Sequence, residues 1–518
     1  MDPEKILVSV GPWGRYQLIN YILICLAGLL GGGHTMMHIF HASVPKFYCK
    51  DGDRAENLTN SNITSVDACY YNSTSTQELT KCKSWSYEDT YGVNIVTKWD
   101  LVCDRDWMRA TAQSIYMVGF MIGAFSFGQI SDKIGRKKSL LIAILIVIIF
   151  GSCAIFAQDY WTFTLLRAIS GIGAAGSYTV GFVLCLEPIG KNHRLIPGIL
   201  YQVPFCSGFV IVSGLACLFK NYKHLQLTCS IFAIVFLSYY WIIDESPRWL
   251  LIKARYEEAE RIFKKIARWN GNKCDWDNLR IFSEQDQEKD ESISKASVLD
   301  LFKTKNLRKK TINICFQWCV ISLTYYGLAM TSSEIKVNLY LNAVIAGFGE
   351  FLSCLLAIPL VVIVGRRVPL AFFHILCGTI CLVALMVPSN MHVLLMALSQ
   401  IGRFGICGAF TIIYVFSAEL FPTVVRNVGI GVGSFSARIG GLLAPFMTRL
   451  DITAALIIFG ILSLAASALA ILLPDTLGVS LPETIKEGEE FGRKYVSPFR
   501  RISKKRTKKD EENDIAYK

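Results

Sequence analysis

"GQISDKIGRKK", residues 128–138, is a short charged break between two long apolar runs, 109–131 and 138–157. Blocks of about 20 apolar residues match one helix crossing a bilayer. The break therefore reads as the turn between two membrane-crossing helices. The rest of the chain repeats the pattern. Of 518 residues, 52% are hydrophobic and only 18% charged, whereas a soluble domain carries about 25% charged residues. That excludes a soluble multidomain protein and leaves a polytopic membrane protein.

Twelve such blocks stand out, at about 16–40, 109–131, 138–157, 160–186, 195–219, 223–243, 311–333, 337–364, 369–389, 391–418, 427–449 and 451–473. They fall six and six around a polar stretch. The expected organisation is an all-α membrane protein with an N-terminal half over 1–244, a linker over 245–310, a C-terminal half over 311–474 and a basic tail over 475–518. Gly-rich runs such as "SGIGAAGSYTVG" (170–181) suit close helix contacts, because small residues let backbones approach. The first block is too long, and too weakly basic in front, for a removable signal peptide, and it reads as the first span.

Charge sets the orientation. The linker holds 16 Lys/Arg and "RKYVSPFRRISKKRTKK" (493–509) holds nine, whereas the loop 41–108 has seven Lys/Arg against ten Asp/Glu. Basic segments stay on the cytoplasmic side. Both termini are expected inside and the 41–108 loop outside, in the plasma membrane. The formal net charge of +12 then reports topology and contact with anionic lipid, not nucleic-acid binding.

The 41–108 loop tests this independently. It carries three glycosylation sequons, at Asn57, Asn62 and Asn72, and four cysteines, Cys49, Cys69, Cys82 and Cys103. Sequons are used only on the lumenal route, and four cysteines in an oxidising compartment allow two disulfides in three pairings. The other thirteen cysteines fall mostly within spans, where they act as small packing residues.

The two halves echo each other. "GQISDKIGRKK" in the first corresponds to the shorter "VGRR" (364–367) in the second. Glu187 precedes Arg194 by seven residues in "EPIGKNHR", and Glu419 precedes Arg426 by seven in "AELFPTVVR". A repeated acid–base pair at the ends of spans four and ten is what a duplicated six-helix unit leaves. Parallel repeats of this kind build the major facilitator fold, with substrate held at the midplane between the halves.

The first break resembles the major facilitator loop G-x-x-x-D-[RK]-x-G-R-[RK]. "ESPRWL" (245–250), "AELFPTVVRN" (418–427), "LPDTLGVSLPETI" (473–485) and the large cysteine-containing loop resemble the organic cation, organic anion and carnitine transporters, solute carrier family 22. The resemblance covers about residues 11–485. It departs in having four loop cysteines where several mammalian members have six. It implies twelve helices in two pseudo-repeats, alternating access, and a small organic ion as substrate. It also implies that Asp132, Gly135, Arg136, Arg167, Glu187, Arg194, Glu245, Arg248, Arg403, Glu419 and Arg426 gate, by latching cytoplasmic helix ends and releasing as the halves rock.

Arg438, in "SFSARIGGLLAPF" (434–446), sits near the centre of an apolar span, where a charge is expensive. Cation carriers of the resembled family have aspartate at this place, and anion and carnitine carriers have arginine. A guanidinium in a dry cavity can hold a carboxylate bidentately. Glu350, midway along span eight, is a second buried charge. Either it pairs with Arg438, or it meets a substrate ammonium while Arg438 meets the carboxylate. The lysine that anion carriers have in span eight is replaced here by Cys354, while His34 in "GGGHTMMHIFH" (31–41) matches a histidine of the anion branch. A zwitterion sits between these signals.

Tyr325 and Tyr326 in "TYYGL" (324–328) resemble a cavity-lining stretch, and Tyr239 is a further candidate. Aromatic faces suit ammonium groups and flat organic ions. His34, His38 and His41 share one helix face but lack the carboxylate or thiolate partners that complete a metal site, so no metal is expected. The sequence contains no G-x-x-x-x-G-K-[ST] phosphate loop and no nucleophile pattern, so neither an ATP-driven pump nor an enzyme is expected, and no cofactor. The expected function is a secondary or facilitated carrier of small organic ions, most of all carnitine-like zwitterions or organic anions. The alternatives are an organic cation carrier and a member that binds without translocating.

Overall fold

In the computed structural model, twelve helices among the described residues are long and apolar enough to cross a membrane: Arg15–His41, Cys103–Ile134, Arg136–Phe156, Tyr160–Leu186, Leu195–Leu218, Tyr222–Ile242, Lys305–Ser332, Leu339–Ile363, Arg367–Ala384, His392–Leu420, Val428–Met447 and Ile452–Ile471. They are called spans one to twelve. The structure describes residues 3–50, 69–72, 79–272, 297–335, 337–388, 390–450, 452–479, 482 and 484–492. Asn57 and Asn62 lie outside the described residues, as does most of the basic tail.

Twenty residues of α-helix rise about 30 Å, the hydrocarbon thickness. The outward faces carry exposed Ile122, Phe125, Leu165, Phe348, Leu352 and Val393, a surface that only lipid leaves comfortable. Inward faces rely on small residues. A Cβ added at Gly32 of span one would fall 1.9 Å from the Phe205 carbonyl oxygen of span five, so only glycine permits that crossing.

Spans of odd number run from the side of the termini to the side of the 41–108 loop, and even spans return. On the loop side the two halves are tied together. Arg449 pairs with Asp106 at 3.3 Å. The Ser114 hydroxyl donates to the Leu442 carbonyl at 3.0 Å, and Phe40 stacks on Tyr340 with ring centroids 5.9 Å apart.

The loop adds two small antiparallel strand pairs to the helices, Phe47–Cys49 with Trp85–Tyr87 and Tyr70–Asn72 with Leu79–Lys81. Of the three open pairings, its disulfides are Cys49–Cys82 and Cys69–Cys103. The side chain of Asn94 caps the helix Ile95–Trp99 and also donates to the Ser43 carbonyl at 2.7 Å, which seats the loop on span one.

On the terminal side, the helix Tyr256–Asn270 packs Phe263 and Ile266 against Leu7, Val10 and Trp249 in a small separate core. Glu4 pairs with both Arg194, at 3.4 Å, and Arg248. Lys265 pairs with Asp244 at 2.6 Å.

Candidate functional site

The duplicated charge cluster lies at the terminal ends of the spans. In the first half, the Arg136 guanidinium reaches Glu187 at 3.1 Å and Asp132 at 2.8 Å. Glu245 accepts the backbone N–H groups of Arg136 and Lys137 at 2.8 and 3.0 Å. In the second half, Arg366 reaches Glu419 at 2.6 Å, and Asp475 accepts the Arg366 N–H at 3.3 Å. Glu245 and Asp475 satisfy orphan donors at a helix start, where the helix dipole also favours negative charge.

Gly135 and Gly365 precede those helices with φ of +107° and +109°. A Cβ on either would lie 2.3 Å from Glu245 or 2.5 Å from Asp475. Backbone and side-chain packing both require glycine there. "ESPRWL" and "LPDTLG" are thus the same device in two halves.

The seven-residue pairs expected from the sequence do not form. Arg194 pairs with Glu4, and Arg426 donates to the Thr423 hydroxyl at 3.2 Å. The reason is that spans four and ten end at Leu186 and Leu420, and Pro188 and Pro422 turn the chain away. Arg136 and Arg366, which start the neighbouring helices, stand closer to the acids. Arg248 belongs to the Glu4 cluster.

Arg167 and Arg403 are not at the helix ends at all. Nineteen residues separate Arg167 from Leu186 and seventeen separate Arg403 from Leu420, rises of about 28 and 25 Å. Both are buried inside the bundle. The Arg167 guanidinium lies 4.8 Å from the Tyr116 ring centroid and donates to Gln226 at 3.0 Å.

Arg403 answers the question of Glu350. The two side chains, both almost completely buried, form an ion pair between spans ten and eight. The Tyr325 hydroxyl of span seven donates to the other Glu350 oxygen at 3.0 Å. Phe209 of span five, in the opposite half, covers the guanidinium at 5.2 Å. The charge is therefore neutralised within one half and shielded by the other, the arrangement a buried pair needs.

Of the two alternatives for Glu350, the pair with Arg438 is absent. Arg438 of span eleven lies with its guanidinium carbon 4.6 Å from the Phe120 ring of span two, beside the Tyr414 hydroxyl. Its Nε is buried without a hydrogen-bond partner. Among the described residues no carboxylate stands within ion-pair distance of it. Tyr326 packs between the two charges: its ring is 5.1 Å from that of Tyr325 and closes on Gly441, three residues beyond Arg438.

The structure thus brings Arg438, Tyr326, Tyr325 and Glu350 together and leaves two candidates elsewhere. His34 lies inside the first half, where its carbonyl accepts from Arg167 at 3.3 Å. The Tyr239 hydroxyl donates to the Leu23 carbonyl of span one, also within that half. The His34 ring lies beside Arg167 and the Cys229 backbone, so both side chains meet neighbours of their own half. His41 is wedged between the rings of Phe163 and Tyr222, each 6.0 Å away. Sequence reasoning missed Phe120, Phe209 and the pairing role of Arg403. Arg403, a lone charge in "LSQIGRFGICGAF" (398–410), carried the same signal that singled out Arg438.

A cavity of about 300 Å³ opens between the halves on the loop side, lined among others by His38, Asp106, Arg109, Met330, Pro445 and Arg449.

Comparison with known proteins places these features. The family described as sugar (and other) transporter matches residues 58–486. An organic cation transporter protein of Drosophila melanogaster is 36% identical over 524 residues, covering 95% of this chain and 96% of that one. Solute carrier family 22 member 3 of Mus musculus is 32% identical, over 94% of this chain and 96% of the mouse protein. Solute carrier family 22 member 2 of Homo sapiens is 36% identical over 79% of this chain and 74% of its own. Among solved structures, the inward-open xylose transporter XylE from E. coli matches with a TM-score of 0.63 at 16% identity, over 92% of this chain and 99% of that one. That likeness concerns the fold.

Proposed function

Because the chain belongs to the sugar (and other) transporter family, and within it to the organic cation transporter type of solute carrier family 22, we propose that it carries small organic ions bearing a carboxylate, above all zwitterions. One observation carries this reading. Glu350 already has its counterion in Arg403, whereas Arg438 presents a guanidinium to an aromatic cage with no carboxylate of the described residues beside it. A substrate carboxylate completes that arrangement through charge-assisted hydrogen bonds. The face of Tyr326 suits an accompanying ammonium group.

In this reading the halves rock about the midplane. Arg438 touches Phe120 and Arg403 touches Phe209, so both charged groups lean on rings of the opposite half. Rocking changes both contacts and alters how each charge is shielded. The ties on the loop side join the two halves, while the ion pairs named on the terminal side each join groups of one half. Phe182 of span four also meets Tyr414 of span ten, with ring centroids 6.4 Å apart, near the terminal ends, so the halves touch on both sides; the charge bias of the loops assigns the terminal side to the cytoplasm of the plasma membrane.

The relatives' names favour a second reading, an organic cation held near Glu350 and Tyr325. Proteoliposome uptake of a labelled simple cation, a carboxylate anion and a carnitine-like zwitterion separates the two. Preferred uptake of the zwitterion supports the first reading, and preferred uptake of the cation supports the second. Binding without accumulation of any of them would point to a member that does not translocate.

A further inference from the structure

One turn from the Glu350–Arg403 pair lies a second cluster that transport leaves unexplained. Cys354 follows Glu350 by four residues on span eight, and Cys407 follows Arg403 by four on span ten. Residues four apart share a helix face, so both thiols point where the ion pair points, one turn nearer the terminal side. Cys206 of span five meets them from the opposite half. The three sulfur atoms lie within 4.8 Å of one another and all three residues are buried. The Cys407 thiol also donates to the Glu350 carbonyl at 3.8 Å, and Cys354 contacts the Thr411 hydroxyl at 3.4 Å.

We propose that Cys206, Cys354 and Cys407 form a trigonal site for one thiophilic metal ion, Cu(I), and that its occupation pins the two halves together. Three sulfurs around a metal at a bond length of about 2.3 Å stand about 4 Å apart. The observed cluster is within 1 Å of that spacing, so closing on an ion requires only small side-chain adjustments. The donor set is all sulfur, in an apolar interior without a carboxylate or imidazole among its ligands. Such a set selects soft ions over Zn²⁺, which seeks a fourth ligand, and over hard ions such as Mg²⁺.

Two ligands come from the second half and one from the first. Alternating access moves the halves against each other, so an ion held by all three sulfurs opposes that movement. Entry follows from the same geometry, because the interface parts as the halves rock. Binding displaces thiol protons, so affinity rises with pH.

The test uses the full chain in lipid nanodiscs, reduced and kept anaerobic, titrated with Cu(I) against a chromophoric Cu(I) chelator. We expect one tight equivalent per chain, with three sulfur neighbours at about 2.3 Å by X-ray absorption. That equivalent should disappear in Cys206→Ser and in Cys354→Ser, and persist in Cys185→Ser, which removes a buried thiol elsewhere. Cys206→Ala serves as a second removal if the serine variant is not monodisperse. Persistence of the tight equivalent in the Cys206 variants, or a two-sulfur spectrum, would overturn the site. In proteoliposomes one equivalent of Cu(I) should reduce uptake at least tenfold, reversibly with chelator, and leave Cys206→Ser insensitive. Full uptake with the site occupied would overturn the pin, and since ligation is read by spectroscopy, it stands or falls independently of the substrate.

Discussion

Arg403 and Glu350, 53 residues apart in sequence, form an ion pair inside the second half, and Arg438 takes no part in it. Removing one partner of a buried pair strands the other charge, which destabilises a protein by about 3–5 kcal/mol. Arg403→Ala should therefore lower the melting temperature of the detergent-solubilised protein sharply, and Arg403→Ala with Glu350→Gln should recover most of the loss. Equal melting temperatures for wild type and Arg403→Ala would contradict the pair.

Arg438 is expected to act on substrate instead of on fold. Arg438→Ala should abolish uptake of carboxylate-bearing substrates, because a charge-assisted contact contributes about 1.5–3 kcal/mol, roughly 10- to 150-fold. Arg438→Lys should rescue in part, since an ammonium lacks the planar fork. Arg438→Asp should shift preference toward simple cations. Adding Glu350→Gln to Arg438→Ala should restore nothing; rescue by that double variant would make the arginine a structural partner after all.

The clusters at the terminal side should behave alike in the two halves. Arg136→Ala and Arg366→Ala should each cut maximal uptake while leaving apparent affinity near wild type. Asp132→Asn should matter less, because that carboxylate is 70% exposed and exposed pairs contribute about 0–1 kcal/mol. Gly135→Ala combines a φ of +107° with ψ of 157°, a region essentially reserved for glycine that costs other residues about 1–3 kcal/mol, with a collision against Glu245. It should lower both surface abundance and turnover, measured by surface biotinylation and initial uptake rates.

Changing Asn57, Asn62 and Asn72 together to Gln should raise gel mobility after expression in animal cells and reduce delivery to the cell surface. Transport per surface molecule should hardly change. A triple variant that migrates with the wild type would reverse the assigned sidedness of the loop.

Spans and their duplication were legible because lipid imposes a one-dimensional rule: about 20 apolar residues, then a charged break. The terminal glycines and acids were legible as motifs, yet their partners were not. Glu187 lies beside Arg136, 51 residues earlier, because helix ends meet in space irrespective of the short spacing that tied it to Arg194. Faces were the other gap. Span one carries His34 and span six carries Tyr239, and hydropathy does not say which side of an apolar helix meets the other half. Tyr325 and Tyr326 were identified by motif, but that adjacent tyrosines divide between Glu350 and the span bearing Arg438 depends on three-dimensional packing.

The two loop disulfides overlap along the chain: Cys69 lies inside the Cys49–Cys82 ring, and Cys82 lies inside the Cys69–Cys103 ring. Any single backbone cut between Cys49 and Cys103 is consequently spanned by at least one of the two. A protease that nicks the loop once should leave one band on a non-reducing gel and two after reduction. Side-by-side pairing of Cys49 with Cys69 and Cys82 with Cys103 would instead release two pieces for a cut between Cys69 and Cys82. The interleaved order makes the loop tolerant of a single scission, holding the severed ends in register at the ends of the helices.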